Sequence, residues 1–308
     1  MSTMTQIWQE LENSKSSDNG KDYNGFRQRY LKEFHRYTGR NVILYGSSWL
    51  HETSPAAIHM SQITAADFMS FKECVAGLSG DELDLILHSP GGVAEYAEQI
   101  VEYLRGRFRN VRVIVPHMAM SAGTLIACSA NRIVMGEQAA LGPIDPQMIV
   151  PVGSAGLRTV AAIDVVKQYE MERDLVRQLG KNARYDAFSQ FGPDLVVRSE
   201  RAIELSVCIA KAWLFKYMFD EEVGMKGRAS GIANWLVRYN DFNSHHRCIF
   251  FDQLKSEGLM VERLKDCPET DKFVNSIFNA MNIMFMETDA VKVVENHGGQ
   301  SVVSKAAS

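Results

Sequence analysis

The 308 residues, 46% apolar and 23% charged, are enough for one large domain or for a core domain with an appended subdomain. A net charge of −4 leaves no basic surplus for a phosphate backbone, so nucleic acid is excluded as the main partner. Cys74, Cys128, Cys208, Cys248 and Cys267 are odd in number and contain no CxxC pair, which argues against a disulfide framework or a zinc site and for reduced thiols in a cytoplasmic protein.

The N-terminal segment 1–22 reads as a polar helix followed by a linker, "NSKSSDNGKD". It has no apolar core of a signal peptide, and no run of about 18 apolar residues occurs anywhere in the chain, so no membrane anchor is expected. In "NGFRQRYLKEFHRYTG" the aromatic residues Phe26, Tyr30, Phe34 and Tyr37 follow helical spacing up to a stop at Gly39.

Strands and helices then alternate. "NVILYG" is a strand, "TAADFMSFKECVAGLSG" a helix capped by Thr64, and "LDLILHS" an apolar run suited to a buried parallel strand. "VAEYAEQIVEYLRGR" is an amphipathic helix, "NVRVIVPH" a second buried strand, "SAGTLIACSA" a short buried helix and "NRIVMG" another strand. This order predicts an α/β core over 23–155 with a mostly parallel sheet.

Helical patterns dominate from 156 to 297: "TVAAIDVVKQYEMERDLVRQLG", "PDLVVRSERAIELSVCIAKAWLFKYMF", "SGIANWLVRYN" and "ETDKFVNSIFNAMNIMFMETDAVKVVENH". They are expected to complete the core and to supply subunit contacts. Residues 298–308 read as a flexible tail.

Three places could carry chemistry. In "LILHSPGGVAEYAEQI" a buried strand meets a helix through Gly91 and Gly92, which leaves backbone amides uncovered at a helix N-terminus. That is the donor set of an oxyanion hole, although a plain tight turn has the same composition. In "HMAMSAGTLIA" Ser121 follows a buried strand and is flanked by Ala119, Ala122 and Gly123. It is either an ordinary helix N-cap or a nucleophile whose small neighbours let a carbonyl approach. In "AALGPIDPQ" Gly142, Pro143 and Pro146 stiffen a loop and direct Asp145, either as a structural turn or into a site.

"HSPGG", "MSAGT" and "LGPID", in this order and spacing, resemble the ClpP/crotonase superfamily and within it the serine dehydrogenase proteinase family, relatives of signal peptide peptidase A. "FNSHHRCI" and "TDAVKVVENHGG" extend the resemblance towards the C-terminus. The resemblance implies stacked ββα units followed by a helical region, and assembly into homo-oligomers. It implies a serine peptidase acting on peptide or unfolded-protein substrates. Ser121 would attack, the amides of Gly92 and Ala122 would hold the oxyanion, and Gly91 would shape the turn. The chain shows no dinucleotide fingerprint and no pyridoxal phosphate lysine motif, so no cofactor and no dehydrogenase activity are carried over.

The base is where the chain departs from its relatives. The place of the peptidase lysine falls near Ala161 and Ala162, with Lys167 about one helical turn further on. His88 and His117 end strands near the edge that carries Ser121, and His297 lies near the tail. His245, in the polar "SHHR", is the working choice, with Asp145 as its partner, because a neutral imidazole suits proton transfer near neutral pH. Two other readings keep the fold: a crotonase-type acyl-CoA enzyme using Asp145, and a catalytically silent scaffold or binding protein.

Overall fold

The computed structural model describes residues 3–13, 22–52, 54–151, 156–180, 191–192, 194–238 and 244–306. Most of the linker expected before residue 23 lies outside them. Two helices, α1 (Met4–Asn13) and α2 (Tyr23–Thr38), precede the first strand, and α2 ends at a left-handed Gly39 (φ 71°).

The alternation expected from the sequence is present: β1 (Asn41–Ser47), α3 (Pro55–Ser61), α4 (Ala65–Val75), β2 (Glu82–His88), α5 (Ala94–Arg107), β3 (Asn110–Val115), β4 (Met118–Ala119), α6 (Ala122–Cys128) and β5 (Arg132–Met135). Next come β6 (Ala140–Leu141), the hairpin β7 (Gln147–Pro151) and β8 (Leu157–Ala161), α7 (Ala162–Leu179), α8 (Leu195–Trp213) and α9 (Lys226–Val237). The chain closes with β9 (Ile249–Phe250), α10 (Phe251–Glu257), β10 (Val261–Arg263), α11 (Pro268–Glu287), β11 (Ala290–Asn296) and β12 (Ser301–Lys305).

Seven strands form the main sheet in the order β10-β5-β3-β2-β1-β11-β12. The first five run parallel, and β11 and β12 add antiparallel at one end. Alternate strand residues feed two apolar layers. Ile43, Leu85, Leu87, Val113 and Ile133 face one, with Phe71, Ile100, Leu125 and Trp213 from the helices. Val42, Leu44, Ile86, Ile114 and Val134 face the other, with Leu31, Phe34, Ile277 and Met281. Both faces of the sheet are covered, which is why its central strands read as continuous apolar runs rather than as alternation.

The C-terminal half departs from the helical expectation in three places. Residues 157–161 form β8, so the helix expected from "TVAAIDVVK" begins only at Ala162. The helix expected through "TDAVKVVENH" stops at Glu287, and 290–296 is a strand paired with β1. The expected flexible tail contains β12, paired with β11. The run Ala290-Val291-Lys292-Val293-Val294 carries the β-branched residues that favour a strand.

The two charges of β11 kept that preference from being read as burial, and their partners lie far away in sequence. Lys292 Nζ meets Asp67 Oδ2 at 2.8 Å and Gln62 O at 2.5 Å. Glu295 accepts from Arg27 Nε at 2.6 Å, and both side chains are fully buried. Arg27→Met strands the Glu295 charge in the core and is expected to cost about 3–5 kcal/mol in urea unfolding, most of it recovered by the Arg27→Met/Glu295→Gln double variant.

Candidate functional site

The strand β2 is followed by Ser89-Pro90-Gly91-Gly92, whose last two residues have φ of 94° and 151°. Such φ values are costly for residues that carry a Cβ. The turn is held by its neighbours. Gly91 O accepts the Ile63 N–H at 2.7 Å, Ile63 O accepts the Val93 N–H at 3.1 Å, and Ser89 Oγ accepts the Gly91 N–H at 3.1 Å. The Gly91 amide is therefore occupied.

A Cβ at Gly91 would lie 2.7 Å from Ser121 Cβ, 3.0 Å from Ala122 N and 2.6 Å from Met120 O. The glycine turn and the serine bend are thus in direct backbone contact, with no room for a side chain between them. Ser121 has φ 51° and ψ −117° and stands immediately before α6. Among the described non-glycine residues only Asp220 and Glu221 share a positive φ. A backbone so placed stores strain and is a mark of functional turns.

Ser121 occupies the N-cap position but makes no capping hydrogen bond, and its side chain is partly exposed. The ordinary N-cap role is therefore not the one it plays. Among the described residues no acceptor is bonded to the N–H of Gly92 or of Ala122. The Ala122 amide stands at the N-terminus of α6 against the glycine turn, and the Gly92 amide lies two residues before the first residue of α5. That arrangement can stabilise negative charge developing on an oxygen.

Asp145 and His245 are brought together by the small sheet β4-β6-β9. β4 runs parallel to β6, pairing Ala119 with Leu141, and β9 runs antiparallel to β6, pairing Leu141 with Ile249. Ser121 follows β4, Asp145 follows β6 and His245 precedes β9, so all three leave the same end of this sheet. Asp145 lies four residues after Leu141 and His245 four before Ile249, so the antiparallel register sets them opposite each other. His245 Nδ1 donates to Asp145 Oδ1 at 2.9 Å, and the carboxylate is 1% exposed. The other carboxylate oxygen accepts from Gln147 Nε2 at 2.7 Å.

Thr124, fully buried, ties the two loops: its hydroxyl accepts the Gly142 N–H at 2.9 Å and donates to Ala119 O at 2.8 Å. No hydrogen bond joins His245 to Ser121 in this structure.

The other candidate bases are placed elsewhere. His88 is buried beneath the sheet edge with Nδ1 against Met118 O at 3.1 Å. Burial, followed by the nearby His117, pushes its pKa down to about 3, too low for a base at neutral pH. His117 is also held down by burial, and its ring lies beside His88 and Phe278. His297 stacks on His35, ring centroids 3.7 Å apart. Lys167 stands in the second turn of α7. Ala161 pairs with Gln147 across the hairpin, and the Ala162 N–H donates to Pro146 O at 2.9 Å. Ala161 and Ala162, where the resemblance leads a lysine to be expected, therefore adjoin the Asp145 loop.

Gln147, Thr124 and Ser89 were not singled out by the sequence reading. Gln147 closes the stretch that holds Asp145, but a glutamine after a proline carries no signal of its own. No cluster of three or more His, Cys, Asp or Glu side chains suited to a metal occurs among the described residues.

Residues 76–173 match the family of ClpP-like, SDH-type serine proteinases, a span that holds Gly91, Gly92, Ser121, Asp145 and Gln147 but not His245. Two uncharacterized proteins of Methanocaldococcus jannaschii are similar over a shorter stretch. MJ0137 is 54% identical over 66 residues, 21% of this chain and 23% of its own length. MJ1495 is 48% identical over 66 residues with the same shares. The chain thus aligns with under a quarter of either relative. A mutant of the 1510-N membrane-bound stomatin-specific protease is similar in structure, with a TM-score of 0.43 and 16% identity over 69% of this chain and 79% of that one.

Because the folded His88 binds its proton far more weakly than an unfolded histidine, whose pKa is near 6.5, the unfolded state takes up protons first as pH falls. The stability His88 contributes is complete above about pH 6.5 and is lost towards about pH 3. Chemical denaturation between these limits is expected to show a shallower acid decline for His88→Phe than for the wild type.

Proposed function

We propose that this chain, which over residues 76–173 matches the family of ClpP-like, SDH-type serine proteinases, is a serine peptidase with Ser121 as nucleophile, His245 as base and Asp145 as the group that orients it. The observation that supports the reading is the contact of Gly91 with Ser121 and Ala122, which sets the glycine turn and the unpartnered Ala122 amide against a strained serine.

The steps follow from these positions. Ser121 Oγ attacks the peptide carbonyl carbon as its proton passes to His245 Nε2, and the carbonyl oxygen takes the negative charge between the amides of Gly92 and Ala122. Asp145 holds the imidazole in the tautomer with the proton on Nδ1 and stabilises the imidazolium. The C–N bond breaks as His245 returns the proton to the leaving amine. Water then attacks the acyl-serine, giving one proton to His245, and Ser121 recovers it as the acid leaves. The transfer requires His245 Nε2 within hydrogen-bond reach of Ser121 Oγ in the substrate complex, where catalytic hydrogen bonds often tighten.

Substrates in this reading are peptides or unfolded polypeptides, and the protein is a cytoplasmic homo-oligomer. The free cysteines support a reducing compartment, and the exposed Ile149, Leu157 and Met171 support self-association. No helix among the described residues is long and apolar enough to cross a membrane.

A fluorophosphonate probe is expected to label Ser121 in the wild type and nothing in Ser121→Ala, as read by peptide mass spectrometry. His245→Ala is expected to lower kcat/KM by about 100- to 10,000-fold. Gly91→Ala, which places a methyl group against Ala122 N, is expected to lower it by about 100-fold or more. Full labelling of the His245→Ala variant would remove the histidine from the mechanism.

A further inference from the structure

We infer that Gln147 is a positioning residue that fixes the Asp145 carboxylate for His245 and makes the β7–β8 hairpin part of the catalytic apparatus. The inference rests on the reading of Asp145 and His245 as the orienting group and base.

Asp145 is 1% exposed, and its two carboxylate oxygens are divided between two donors. Oδ1 takes His245 Nδ1 at 2.9 Å and Oδ2 takes Gln147 Nε2 at 2.7 Å. With both oxygens bonded, the carboxylate plane cannot rotate without losing a hydrogen bond in a buried place, and that plane sets the direction of the imidazole. Only the amide nitrogen of Gln147 can face the carboxylate, because its oxygen would set acceptor against acceptor.

The partner's chemistry suits the task. An arginine or lysine here would neutralise the carboxylate and weaken its hold on an imidazolium. A carboxamide satisfies the second oxygen and leaves the charge in place. Gln147 itself is held from behind. Its strand pairs with β8 in register, Gln147 opposite Ala161, and the Pro146 carbonyl takes the N–H of Ala162, the first residue of α7. The direction of Asp145 is thus tied to the hairpin and to the first residue of α7.

The hairpin is also asymmetric. Met148 is buried, whereas Ile149 and Leu157, on the same face as Gln147, are 67% and 74% exposed.

The test compares Gln147→Met, which keeps the length and loses the donor, with the wild type; Gln147→Ala serves the same purpose should the thioether disturb the fold. Two readouts are taken on protein of unchanged thermal midpoint. The downfield Nδ1 proton resonance of His245 is followed by NMR in a Ser121→Ala background. Peptide cleavage is followed in the active protein.

The expected result is a shifted and broadened resonance, together with a kcat lowered about tenfold or more at unchanged KM. A resonance unmoved by loss of the amide donor overturns the inference. So does a kcat equal to the wild type's. The resonance reports the Gln147–Asp145–His245 alignment whether or not Ser121 cleaves peptides, so failure of the peptidase reading and failure of this one are told apart.

Discussion

The site depends on one missing atom. Gly91 has no Cβ, and the space that atom would fill is taken by Met120 O, Ser121 Cβ and Ala122 N. Two chain reversals at the edge of a parallel sheet can therefore touch through their backbones. The turn cannot drift, because Ile63 pins Gly91 and Val93 from one side and Ser89 holds the Gly91 amide from below. What remains free is the set the proposed chemistry needs: the Gly92 and Ala122 amides and the Ser121 hydroxyl. The positive φ of Ser121 lies at the same contact, and strain of this kind gathers at functional turns.

The second constraint is topological. Asp145 and His245 are 100 residues apart, yet the register of a three-stranded sheet only two residues wide at each strand sets them face to face. Thr124 fastens this sheet to α6 through Ala119 O and the Gly142 N–H. The family match covers residues 76–173, so His245, unlike Ser121 and Asp145, lies outside it. In the proposed mechanism His245 supplies the base where Ala161 and Ala162 leave no lysine.

The parallel core was legible because its strands are buried on both faces and its helices are amphipathic, so length and periodicity alone separate "LDLILHS" from "VAEYAEQIVEYLRGR". The glycine turn and the serine were legible because each leaves a local mark: paired glycines after a strand, and small residues around one hydroxyl. Residues 290–305 were misread for the opposite reason. Lys292 and Glu295 look like a solvated helix face until Asp67 and Arg27 are seen beside them, and no local pattern announces partners more than 200 residues away. Gln147 was missed because its meaning lies in one hydrogen bond to a carboxylate two positions earlier, and nothing in the residue type forces that bond. The Asp145–His245 pairing was reachable as a guess about residue types, but only the β6–β9 register gives it a geometry.

The most direct measurement is a crystal structure of the protein after reaction with a fluorophosphonate, read at the phosphoryl oxygen. The account predicts a covalent bond to Ser121 Oγ, with that oxygen about 2.7–3.1 Å from the amide nitrogens of both Gly92 and Ala122. An adduct on another residue, or a phosphoryl oxygen turned to solvent with both amides left empty, would contradict it.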